Sequence, residues 1–117
     1  MFDMARFMTE GQEPKLLKDW THAGLRCRVL QASHSINGYC AVPKNHPDFG
    51  KDYSDLDIDV HGGLTFGEQG GSDERWPDSN LFWFGFDTAH YFSGIWSEDQ
   101  VARETERMAE QFASHIP

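Results

Sequence analysis

The segment Asp55-Leu56-Asp57-Ile58-Asp59-Val60-His61 alternates polar and aliphatic residues without a break. A period of two excludes an amphipathic helix, whose apolar positions recur every three to four residues, and fits an extended chain with one buried face. Leu56, Ile58 and Val60 are therefore expected to face a core, and Asp55, Asp57, Asp59 and His61 to face away from it. A one-sided extended segment has to pack against a second layer, so the chain needs a sheet and something that covers it. Gly62-Gly63 breaks or bulges this strand, and Leu64-Thr65-Phe66 is expected to resume it.

The flanking segments supply both layers. Leu25 to Leu30 alternates as well, with Leu25, Cys27 and Val29 on one side and Arg26 and Arg28 on the other. Asn37-Gly38 is a turn signal, and Tyr39-Cys40-Ala41-Val42 reads as the returning strand of an antiparallel hairpin, closed by Pro43. Residues 15–24 read as a short turn of helix or a lead-in, and residues 44–54 as a loop. Leu81-Phe82-Trp83-Phe84-Gly85-Phe86 is apolar on both faces, which predicts a central strand covered on both sides. Residues 67–80 form a polar, glycine-rich connection, and residues 87–96 leave the sheet as an aromatic loop. Ser97 followed by Gln100 predicts a capping box, with Glu98 and Asp99 in the first turn. Val101, Thr105, Met108, Phe112 and Ile116 then form one buried helical stripe. The expected fold is α+β: a mainly antiparallel sheet of about five strands with one C-terminal helix packed on it. Its 117 residues make one domain, within the usual size of roughly 100–200 residues. Residues 1–14 read as a peripheral N-terminal arm, frayed or docked, and residues 15–117 as the single α+β domain.

Composition limits the partners. Hydrophobic residues make up 38% and aromatic residues 14%, so rings have to fill much of the core. Ten Lys and Arg against 19 Asp and Glu give a net charge of -9. Sequence-independent affinity for nucleic acid comes from basic side chains, so duplex DNA or RNA is not an expected partner. A small anionic ligand, a basic protein, or a role as an acidic mimic of nucleic acid all stay open. No apolar run approaches the roughly 20 residues of a membrane span. Asp3, Arg6 and Glu10 interrupt any signal-peptide core. Cys27 and Cys40 make no disulfide framework and read as small core residues. The expectation is a soluble protein in a reducing, cytoplasmic setting, with no membrane partner.

Four strings carry a resemblance. They are Trp20-Thr21-His22-Ala23-Gly24-Leu25-Arg26-Cys27, Asn45-His46-Pro47 with Gly50-Lys51-Asp52-Tyr53, Asp59-Val60-His61-Gly62-Gly63-Leu64-Thr65-Phe66, and Phe82-Trp83-Phe84-Gly85-Phe86-Asp87-Thr88-Ala89-His90. In this order, over roughly residues 20–112, the chain resembles a family of small proteins encoded by bacteriophages and by prophage-like regions of bacterial genomes. The chain departs from that pattern at Asn37 and at Thr88, where cysteine is frequent, and at Tyr91-Phe92, where Gly-Asp is usual. The family implies no named activity. Its phage setting implies a counter-defence protein acting in the host cell, by covering a host protein, degrading a signal or sequestering it.

Four constellations carry possible chemistry. Asp55, Asp57, Asp59 and His61 form one polar face, joined by Asp87 and His90, and its three carboxylates at i, i+2 and i+4 repel one another unless neutralised. Asp57, Asp59 and His61 are candidate ligands for a divalent metal ion, and an open position on that ion would support hydrolysis. The alternative is a solvated face in which Asp59 and Asp87 bond loop amides. Gly62-Gly63 offers backbone amides to an anion, or marks a bulge. Trp76, Trp83, Tyr91, Phe92 and Trp96, with Tyr39 and Tyr53, either stack on a base or a partner, or form a satellite cluster under loops. Arg26, Arg28, Lys44, Lys51 and Arg75 either hold phosphates or balance nearby acids. No nucleophile sits in a recognisable motif. The leading expectation is an anti-defence binding protein that sequesters a small nucleotide-derived signalling molecule without catalysis. Its ligand-binding residues would be His61, Gly62, Gly63, Asp87, His90, Trp83, Tyr91, Arg26, Arg28 and Lys51, in a homodimer. The alternatives are a metal-dependent hydrolase using the Asp/His cluster, and an acidic inhibitor that occludes a host defence protein.

Overall fold

The computed structural model describes residues 14–89 and 94–117. The expected arm falls almost wholly on residues 1–13, outside the described residues. Among the described residues there are five strands and one α-helix: β1 (Lys15–His22), β2 (Leu25–Gln31), β3 (Ile36–Pro43), β4 (Phe66–Gln69), β5 (Leu81–Phe86) and α1 (Glu98–Ser114). The strands make one sheet of order β1-β2-β3-β5-β4 in which each neighbouring pair is antiparallel. The α+β architecture expected from the pattern is the one observed.

The sheet buries both faces. On one face Cys27, Val29, Cys40, Val42, Phe84 and Phe86 pack under α1. Val101, Thr105, Met108 and Phe112 of the helical stripe are fully buried there, and the Phe84 and Phe112 rings stack at 4.9 Å. Ile116, expected to extend the stripe, lies beyond the helix and is exposed, because α1 ends at Ser114. On the other face Leu30, Tyr39, Ala41, Trp76 and Trp83 form a second core. The loop between β4 and β5 folds over it: Trp76 packs on Tyr39 and Phe66, and the Trp83 indole N–H donates to the Pro77 carbonyl at 3.0 Å. β5 is thus covered on both sides, as its apolar run requires.

Three local expectations are corrected. Residues 15–22 are the edge strand β1, not a helical turn. A register shift between Leu16 and Lys18 places Leu17 against the helix-side core, while Leu16 stays exposed, and this bulge breaks the period-two signal. Asn37-Gly38 lies within the β2–β3 ladder, opposite Leu30 and Val29, and the hairpin turns at residues 32–35 instead. Residues 56–60 keep the alternation, with Ile58 and Val60 buried and Asp57 and Asp59 exposed, yet they form no strand. The ladder beside β5 begins only at Phe66, two residues after the expected resumption at Leu64.

Gly38 sets how closely the layers approach. A Cβ there would lie 2.0 Å from the Thr105 hydroxyl oxygen and 2.7 Å from the Phe86 ring. That hydroxyl already donates to the Val101 carbonyl at 2.7 Å, so it is held in place. We predict that Gly38→Ala lowers stability in urea melts by about 1–3 kcal/mol, the usual penalty of overpacking. Adding Thr105→Ala recovers part of that loss, and strict additivity of the two substitutions would contradict the proposed contact.

Candidate functional site

Residues 56–63 run along one flank of α1, tied by side chains where a strand would use a ladder. The Gln111 side chain works as a substitute peptide: its carbonyl accepts from the Asp59 N–H at 2.8 Å, and its amide donates to the Asp59 carbonyl at 2.8 Å. Two turns earlier on the helix, Glu104 accepts from the His61 N–H at 2.8 Å. Arg107 lies between them and bridges Glu104 and Asp59. Burial alone would raise the Glu104 pKa. The Arg107 hydrogen bond and the His61 N–H outweigh it and hold the carboxyl below its ordinary value.

At the end of this strap the chain reverses. The Gly63 N–H donates to the Val60 carbonyl at 2.8 Å, and Gly62 has φ 72°. A four-residue turn of this kind needs a positive φ at its third residue, which glycine supplies without strain. One of the two amides expected to face an anion is therefore used inside the turn. Beyond it, the Thr65 N–H donates to the Gly85 carbonyl at 2.9 Å and the Thr65 hydroxyl to the Asp87 carboxylate at 3.1 Å. The second Asp87 oxygen accepts from the Ala89 N–H at 3.0 Å. The His-Gly-Gly-Leu-Thr and Gly-Phe-Asp-Thr-Ala strings are thus neighbours at one end of the sheet. The His61 ring lies 4.5 Å from the ring of Trp96, just before α1. Gly85 itself leaves no opening, because the Tyr39 ring fills the space a side chain would take.

Asn37 and Thr88, two of the positions where the chain departs from the pattern it resembles, also meet here. The Thr88 N–H donates to the Asn37 side chain at 3.4 Å, and the Thr88 hydroxyl donates to the Ile36 carbonyl at 2.9 Å. Of the expected ligand-binding set, His61, Gly62, Gly63 and Asp87 belong to this end of the sheet. His90 and Tyr91, with Phe92, lie outside the described residues.

The remaining expected residues are elsewhere. Arg26 and Arg28 project from the sheet face away from α1, toward the Trp83 ring, at 5.9 and 5.8 Å. Both bind Asp19, and Arg28 also donates to the Arg75 carbonyl at 3.1 Å. Their hydrogen bonds and charge hold Asp19 below the ordinary aspartate range, the Arg26 bond contributing most. These arginines balance an acid and hold the β4–β5 loop. Trp83 is fully buried and Trp76 nearly so, which makes them the satellite cluster. Lys51 pairs with Asp48 at 3.5 Å, at the C-terminal end of α1. Among the described residues no group of three or more His, Cys, Asp and Glu is arranged to hold a metal ion.

Two polar clusters were not among the expected site residues. Buried His46 accepts from the Asp48 N–H and bonds the Phe112 carbonyl at 2.8 Å, so it caps the end of α1. Asp48 in turn holds His115 at 2.6 Å. At the other sheet edge, His22 lies between Glu106 and Glu110, at 3.3 and 2.7 Å. Their partners stand 66 to 88 residues apart in sequence, which hides them from local patterns.

Comparison of the chain with protein-family models, with curated proteins and with solved structures gives no match.

The strap makes a pH-dependent prediction. A carboxyl with a lowered folded pKa stabilises fully above its unfolded value, and that stability is lost as pH falls through the folded value. Glu104→Gln is expected to be less stable than the parent at pH 7 by roughly 0.5–1 kcal/mol, a hydrogen-bond effect discounted for partial exposure. The difference closes as pH falls below about 4. Chemical melts across pH check this, and a difference that stays constant with pH contradicts it.

Proposed function

We propose that the protein is a non-catalytic binding protein of the phage counter-defence type. Its site is the sheet end built by residues 61–65, 85–89 and Trp96, and its ligand is a small nucleotide-derived signalling molecule. One observation carries this reading. Two strings twenty residues apart are pinned together through Thr65, Gly85 and Asp87, beside the paired rings of His61 and Trp96. Rings and a carboxylate are the groups that take the planar face and the N–H donors of a nucleobase. Arg26 and Arg28, the expected phosphate ligands, bind Asp19 on the other sheet face, which favours recognition of the base over the phosphates.

A second reading rests on a different observation. Asp55, Asp57 and Asp59 are exposed on a segment outside the sheet. In extended chain, alternate residues stand roughly 6.5–7 Å apart, so the Asp57 and Asp59 carboxylates form a short acidic row, with Asp55 in the single 3-10 turn just before it and Asp59 also paired with Arg107. Such a row supports an acidic inhibitor that occludes a basic surface of a host defence protein.

Thermal shift and native mass spectrometry against cyclic and linear nucleotides and their nucleosides separate these readings. The primary reading predicts a raised melting midpoint and a ligand recovered intact. It also predicts that the shift is lost in Asp87→Ala and retained in Arg26→Ala. No shift with any compound contradicts it, and a chemically converted ligand contradicts the absence of catalysis. The acidic-row reading predicts partner binding that weakens with added salt and is lost in Asp55→Asn/Asp57→Asn/Asp59→Asn.

A further inference from the structure

Cys27 and Cys40 stand directly opposite each other on β2 and β3, and both point into the core under α1. Each thiol is free and has no exposed surface. Directly opposed residues of an antiparallel pair hold their Cα atoms about 4.5–5.5 Å apart. That lies inside the window of about 4.4–6.8 Å that a disulfide spans. The ladder register therefore places the two side chains on one face with a backbone spacing that a disulfide can span. The Cys27 thiol contacts a neutral group, the Leu25 carbonyl, at 3.5 Å.

We propose that Cys27 and Cys40 are a disulfide-forming pair, closed by exchange with a low-molecular-weight disulfide such as oxidised glutathione. In the first step one cysteine thiolate attacks a sulfur of oxidised glutathione. The glutathione S–S bond breaks, a protein–glutathione mixed disulfide forms, and the released glutathione thiolate takes up the proton. In the second step the other cysteine attacks the protein sulfur of that mixed disulfide and expels the second glutathione. Two protein thiols are oxidised to one disulfide, and one oxidised glutathione is reduced to two thiols.

The closed fold guards this chemistry. Burial pushes the Cys27 thiol up to about 12 and the Cys40 thiol well above its ordinary value. The thiolate is the attacking species, so exchange is slow while α1 covers the pair and proceeds when that face opens. The fold is dithiol in a reducing compartment. After opening in an oxidising one, it acquires a cross-link between its two inner-hairpin strands. A cross-link at a register pair removes freedom from the unfolded chain, so the oxidised form melts higher.

The test uses the full chain incubated with oxidised glutathione, in native buffer and in sub-denaturing urea. Samples are then alkylated and read by intact mass. The expected product is a monomer short of two hydrogens with no glutathione attached. It forms faster as urea rises and melts at a higher temperature that falls back with dithiothreitol. Cys27→Ser accumulates a single glutathione adduct in its place. The proposal is overturned if the parent chain retains stable glutathione adducts, if it cross-links between molecules, or if both thiols remain alkylatable after exposure in urea. The parent-chain masses decide the question even if the serine variant does not fold.

Discussion

The bare backbone of Gly38 lets α1 approach the sheet closely at Thr105, and the helix position follows from it. With no side chain at Gly38, α1 can seat Thr105 against β3 near the start of that strand. Seated there, Val101, Met108 and Phe112 reach the core residues of β2, β3 and β5. The same placement turns Glu104, Arg107 and Gln111 toward the outer flank, where they hold residues 59–61. The helix thus covers the sheet with one stripe and organises an irregular segment with the next. The turn at Gly62, and with it Thr65 and its link to Asp87, hangs from that segment.

Much of this was legible in the residues, and the failures have identifiable causes. The capping box of α1 was readable because it is local: Ser97 and Gln100 bond each other as their spacing requires. The burial of Ile58 and Val60 was readable because alternation reports which side faces the core. Alternation does not report what satisfies the backbone. A side-chain amide 52 residues away, Gln111, takes the place of a neighbouring strand at Asp59. β1 was hidden by its bulge, which brings Leu17 and Trp20, three residues apart, to the same helix-side core. Asn37-Gly38 misled because its glycine serves packing against the helix and not a turn.

The candidate site was partly legible for the same reasons. His61, Gly62, Gly63 and Asp87 cluster through Thr65, a residue that the polar pattern did not single out. The two arginines share a strand face, as their spacing requires, yet Asp19 on the adjacent strand claims them. Charge arithmetic gave the right sign for the surface and no information on which charges are paired. The acids of 55–59 face solvent beside the strap, while Asp48 is buried and holds a histidine and a lysine at the end of α1. Each half of the molecule therefore ends in a different polar chemistry, with rings and a carboxylate at one end and a capped helix terminus at the other.

The central claim is that α1 side chains, and not a strand ladder, hold the segment that positions the site. Amide hydrogen exchange on the parent chain and on Gln111→Ala tests it most directly. The account predicts that Asp59 and His61 amides lose protection in the variant while those of β2, β3 and β5 keep it. Unchanged protection at Asp59 and His61, or an equal loss throughout the sheet, would contradict it.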